Sequence, residues 1–79
     1  STSLEANGIL SMDDTKLTRM ANQIAANFAA AGETQAVAAT AEHITKFWDP
    51  RMKAGIFASD LSALSPIARA AVESLQEQA

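Results

Sequence analysis

The stretch that decides the fold is Phe47-Trp48-Asp49-Pro50-Arg51-Met52, which holds the chain's single Trp and sets a helix breaker near mid-chain. Pro50 fixes its own φ, has no N–H and pushes Asp49 out of the α region, so a helix arriving at Trp48 stops there. The same proline suits the first position of a new helix. Asp49 before it suits an N-cap, its carboxylate accepting the orphan N–H groups of the next turn. The stretch therefore predicts a tight corner between two helices. Arg51 and Lys53 fall in the first turn of the second helix, where the positive end of the dipole disfavours cations by at most about 1 kcal/mol. Either Asp49 offsets them, or Arg51 is kept for an acceptor on another chain. Its planar fork matches a carboxylate, and the neighbouring aromatics supply area to bury.

Working toward the N-terminus, the incoming helix spans Glu33 or Thr34 to about Trp48, with Val37, Ala41, Ile44 and Trp48 as its apolar stripe. Phe47 and Trp48 sit about 100° apart around that helix, so one of them is free to face outward. Glu42 and Lys46 form a favourable i,i+4 pair on the wet side. Gly32 suits the left-handed position that ends the preceding helix, which runs from an N-cap at Ser11 to about Ala30 with Asp13 and Asp14 in its first turn. Leu17, Met20, Ile24 and Phe28, with Ala21 and Ala25, make its core stripe. Lys16, Arg19, Asn22, Gln23 and Asn27 occupy the opposite side, which is either a solvated face or a contact for another chain. Residues 1–10 lack periodicity, and Asn7-Gly8 interrupts them, so they read as an arm. Leu4, Ile9 and Leu10 would dock that arm, or else it is a loose end.

Beyond the corner, a helix from Pro50 to Ser59 or Asp60 carries Met52, Ile56 and Phe57 inward, and Gly55 either weakens it or lets another backbone approach. Leu61 and Leu64 lead to Ser65-Pro66, a second cap-and-proline start. The last helix has Ile67, Ala71 and Leu75, flanked by Ala68 and Val72, as its stripe, with Gln76-Glu77-Gln78 fraying. The expected fold is all-α, a small single-domain bundle of about four short helices, with an arm at 1–10 and a helical domain at 11–79. Alanine faces at Ala26, Ala29 and Ala30, and at Ala38 and Ala39, are smooth enough for close docking.

At 79 residues with no Cys, the chain has neither disulfide nor thiolate metal site to reinforce a core of a size that rarely gives more than about 3–5 kcal/mol. Oligomerisation or a partner is the common remaining route. A net charge of −3 without a basic cluster argues against nucleic acid. With no long apolar run and no secretory start, the expected location is cytoplasmic. Nor does catalysis find a foothold. His43 is the only His, with Ala39 and Phe47 a turn away. The Ser and Thr residues mostly suit caps, Asp13-Asp14 reads as a helix start rather than an acid/base pair, and there is no Gly-rich phosphate loop. No catalytic, cofactor-binding or metal-binding residue is assigned.

Lys16-Leu17-Thr18-Arg19-Met20-Ala21-Asn22-Gln23-Ile24, then His43-Ile44 and Phe47-Trp48-Asp49-Pro50-Arg51-Met52, together resemble the delta subunit family of NAD-dependent formate dehydrogenases. The Pro66–Val72 segment is similar to the family's last helix, so the likeness covers roughly Lys16 to Leu75. The resemblance implies a non-catalytic accessory subunit of a cytoplasmic complex that oxidises formate with NAD or reduces carbon dioxide in reverse. It also implies partners. An alpha subunit would hold a molybdenum or tungsten bis-pterin guanine dinucleotide (bis-MGD) cofactor and iron–sulfur clusters, and beta and gamma subunits would pass electrons through further clusters and FMN to NAD. The delta chain itself would carry no cofactor. The alternative role is a transient maturation chaperone that assists bis-MGD insertion into the apo catalytic subunit. A free-standing small enzyme is the remaining reading. The chain departs from the family pattern at Thr18, at Lys53 and in its longer arm. On the first reading, the contact with the alpha subunit uses Arg19, Asn22 and Gln23 together with Phe47, Trp48, Asp49, Pro50, Arg51 and Met52.

Overall fold

The computed structural model describes the backbone of residues 3–78 and the side chains of residues 15–78. Four α-helices follow one another: α1 (Ser3–Phe28), α2 (Glu33–Phe47), α3 (Pro50–Ala58) and α4 (Pro66–Gln78), with short 3-10 turns at Ala29–Ala31 and Leu61–Ala63. No strand occurs among the described residues. The fold is all-α.

Helix α1 starts at Ser3 rather than Ser11 and runs unbroken through Asn7-Gly8. A glycine inside a helix costs only about 1 kcal/mol relative to alanine, which good helix formers on either side can offset. The cap reading of Ser11 and the roles expected of Leu4, Ile9, Leu10, Asp13 and Asp14 concern side chains outside the described ones. At the far end α1 tightens into its 3-10 turn, closed by the Gly32 N–H donating to the Ala29 carbonyl at 3.1 Å. Gly32 has the expected positive φ, 99°, but its ψ of 153° is extended rather than left-handed helical. That region is essentially restricted to glycine. The Gly32 carbonyl then accepts the Ala36 N–H at 2.8 Å and opens α2.

The core joins Leu17, Ala21 and Ala25 of α1 to Ile44, Trp48, Ile56, Leu64, Ala68 and Val72. On α2 the fully buried row is Ala36, Thr40 and Ile44, while Val37 and Ala41 are only half-buried. The seam is thus rotated from the expected stripe toward the i, i+4 row through Ala36. α2 packs against both α1 and α4, and a helix wedged between two neighbours brings small side chains to its centre so that the backbones can approach. The same logic centres α1 on Leu17, Ala21 and Ala25 and leaves Met20 and Ile24 at the edge of the core. Where α1 meets α3, a Cβ added to Gly55 would lie 2.6 Å from Leu17 Cδ1, so the glycine makes room for that leucine. None of the described helices is long and apolar enough to cross a membrane.

Candidate partner interface

The corner is built as its local chemistry dictates. Trp48 (φ −92°, ψ 134°) and Asp49 (φ −77°, ψ 171°) are extended, and Pro50 begins α3. Asp49 Oδ1 accepts the Met52 N–H at 2.9 Å and the Asp49 carbonyl accepts the Lys53 N–H at 3.0 Å, so the residue caps α3 with both side chain and backbone. The two first-turn cations then separate. Lys53 turns back and its ammonium donates to the Thr45 carbonyl at 3.0 Å, which places its charge at the negative end of α2. Arg51 stays exposed and has no ion pair among the described residues.

The aromatics separate as well. Trp48 is 4% exposed and belongs to the core, whereas Phe47 is 70% exposed. Phe47 lies against His43 one turn earlier, ring centroids 4.8 Å apart and planes tilted by 43°. Met52 is half-buried against the core, and Asp49 and Pro50 are exposed at the tip.

On α1, Arg19 and Gln23 are exposed while Asn22 is held at both ends of its amide. Asn22 Oδ1 accepts the Ser65 N–H at 2.7 Å and its Nδ2 donates to the Ala63 carbonyl at 3.2 Å. Asn22 thereby ties α1 to the segment that starts α4. Arg19, Met20, Gln23 and Ile24 face His43 and Trp48 across an open groove of about 360 Å³. Arg19 and Gln23 of the first stretch singled out in the sequence thus share one trough with Trp48 of the second. Of the residues expected at the contact, Arg19, Gln23 and Trp48 line it, while Asn22, Phe47, Asp49, Pro50, Arg51 and Met52 do not. His43 joins this surface although sequence reasoning set it aside; its one-turn spacing from Phe47 was the available signal.

On the other side of Arg19 lies a second open groove, shared with Thr18, Asn22 and Asp60. The Asp60 carboxylate accepts the Ser62 hydroxyl at 2.6 Å and the Ser62 N–H at 3.0 Å. Those two bonds, with a smaller contribution from the Arg69 charge, hold its pKa below the ordinary aspartate value. A third groove is walled by Ala25, Ala26 and Ala29 against Pro66 and Ile67. Among the described residues no three His, Cys, Asp or Glu side chains gather as a metal site would require.

The family model described as NADH-dependent formate dehydrogenase delta subunit matches residues 16–72, a span that includes the corner, the Asn22 tie and every residue lining the groove of Arg19 and Trp48. No curated protein and no solved structure matches the chain.

Proposed function

Because this chain belongs to the NADH-dependent formate dehydrogenase delta subunit family, we propose that it acts as a non-catalytic accessory subunit that binds and stabilises the catalytic alpha subunit of such a complex. The observation that carries this reading is the convergence of Arg19 and Gln23 with Trp48 on one groove, beside a Phe47 that is 70% exposed. An apolar trough with a large exposed aromatic nearby is the kind of surface that contact with another protein uses. On this reading the redox chemistry belongs to the partners: molybdenum or tungsten bis-MGD and iron–sulfur clusters in the alpha subunit, and FMN and further clusters in the beta and gamma subunits. The complex works in the cytoplasm.

Co-purification from the native host tests the role. The tagged chain should retain a large molybdenum- or tungsten-containing polypeptide, and its removal should lower the yield of assembled complex. Apo and cofactor-loaded alpha subunits offered side by side then separate a resident subunit from a maturation chaperone. Equal retention fits residence, because a chaperone that leaves after loading needs differential affinity for the two states. Full recovery of stable, active complex without this chain would confine it to transient assembly.

A further inference from the structure

We infer that the groove between α1 and the end of α2 receives an amphipathic helix of the catalytic subunit, with apolar side chains over Met20, Ile24 and Trp48 and a carboxylate on Arg19. This rests on the accessory role proposed above and adds the chemistry and shape of what is bound. The lining is largely apolar: Met20 and Ile24 are half-buried and Trp48 is 4% exposed. His43, on the groove's lining, also holds the exposed Phe47 ring, centroids 4.8 Å apart. An aromatic already held by a neighbour gives up little rotamer freedom on binding.

The charge that remains to be met is positive. Arg19 has Thr15, Lys16, Asn22 and Gln23 as its one-turn neighbours, none of them acidic, and it makes no ion pair among the described residues. No carboxylate lines the groove. Among the described residues Glu42 pairs with Lys46 at 3.1 Å, and Asp60, which lines the neighbouring groove with Arg19, makes no ion pair with it. A chain of net charge −3 thus presents Arg19 on the lining of an apolar trough, with Lys16 one turn before it on the same helix. Its complement is apolar and acidic.

Two helices walling a groove accept a third through i, i+3, i+4 apolar positions, with the flanking charge setting the register. A second copy of this chain is a poorer occupant. A two-fold contact through this groove would set Arg19 of one copy against the groove that carries Arg19 in the other.

The test uses the full chain co-expressed with the catalytic subunit. Arg19→Glu and Phe47→Ser alter exposed side chains, so each variant should keep the wild-type circular dichroism and thermal midpoint. Each should weaken retention of the catalytic subunit at least tenfold, while Glu77→Lys, at the far end of α4, stays within twofold of wild type. A photo-crosslinking residue in place of Gln23 should attach to a helix of the catalytic subunit that bears both apolar and acidic residues. The inference is overturned if both variants bind within twofold of wild type, or if the crosslink falls on a second copy of this chain. Failure of the wild-type chain to retain the catalytic subunit would remove the accessory role itself, and that arm is read separately.

Discussion

Asn22 and Ser65 are joined by a 2.7 Å hydrogen bond from the Ser65 N–H to Asn22 Oδ1, across a sequence separation of 43 residues. The other end of the same amide donates to the Ala63 carbonyl at 3.2 Å. One half-buried side chain therefore satisfies two loop backbone groups just where the Leu61–Ala63 turn gives way to α4. Removing it leaves the part-buried Ser65 N–H short of a partner while the exposed Ala63 carbonyl turns to water, a loss of about 1 kcal/mol. Asn22→Ala should lower stability by that amount in urea unfolding. Asn22→Asp keeps the acceptor but not the donor, and should fall between the two.

Thr40 is fully buried, and its Oγ1 has no hydrogen-bond partner. An unpaired hydroxyl in a core bears its desolvation cost without return, so Thr40→Val, which keeps the shape, should raise stability by about 1 kcal/mol. Thr40→Ser keeps the hydroxyl and deletes a packed methyl, and should lower stability by about 1 kcal/mol. Parallel thermal and denaturant melts read both. A Val variant less stable than wild type would show that the hydroxyl has a partner in solution.

At Gly55 two effects oppose each other. Alanine in place of a helix-interior glycine is worth up to about 1 kcal/mol, but the new Cβ would sit 2.6 Å from Leu17 Cδ1. Leu17 is itself core, and overpacking costs about 1–3 kcal/mol, so the steric term should win by about 1 kcal/mol in Gly55→Ala. In a Leu17→Ala background the obstruction is gone and the same change should become stabilising. A double-mutant cycle that shows no change of sign would place the clash elsewhere.

Asp60 supplies a pH dependence with a defined direction. Its folded pKa lies below the ordinary value of 3.8, chiefly because the Ser62 hydroxyl and N–H donate to its charged form. Bonds made to the charged form stabilise the folded state fully above the unfolded pKa, and this contribution is lost as the pH falls through the lower folded value. Stability measured from pH 7 down to about pH 2 should therefore separate wild type from Asp60→Asn at the upper end, the two curves converging on the acid side. Parallel curves over the whole range would remove Asp60 from the acid response.

Much of this architecture is legible in the sequence because its punctuation is local. Asp49-Pro50 and Ser65-Pro66 announce helix starts through capping chemistry confined to one turn, and both caps form, with Asp49 bonded to Met52 and Ser65 to Ala68. Partners outside that range leave no such trace. Nothing near Asn22 in sequence signals Ser65 or Ala63. The shift of the α2 seam onto Ala36 and Thr40 follows from how closely α1 and α4 approach, a property of the assembled bundle. The continuity of α1 through Asn7-Gly8 shows that a weak helix former is not a stop. The groove itself was half-visible: both stretches that flank it stand out in the sequence, but only the fold brings Arg19 beside Trp48 and adds His43.

Arg51 and Lys53 stand two residues apart in the first turn of α3 and should answer mutation differently. Lys53 donates to the Thr45 carbonyl at 3.0 Å and so meets the negative end of α2. Lys53→Ala should lower stability by about 0.3–1 kcal/mol, an effect that shrinks in high salt because the contact is exposed. Arg51 has no ion pair among the described residues and lies at the unfavourable end of its own helix, so Arg51→Ala should stay within about 0.5 kcal/mol of wild type or slightly above it. If the corner belongs to the interface, that harmless change in the isolated chain becomes costly in the complex, where the guanidinium would meet a carboxylate of the partner. Urea melts of the free chain, paired with retention of the catalytic subunit, separate the two effects: a loss of retention without a loss of stability assigns Arg51 to the contact, and no loss in either leaves it a solvated cation.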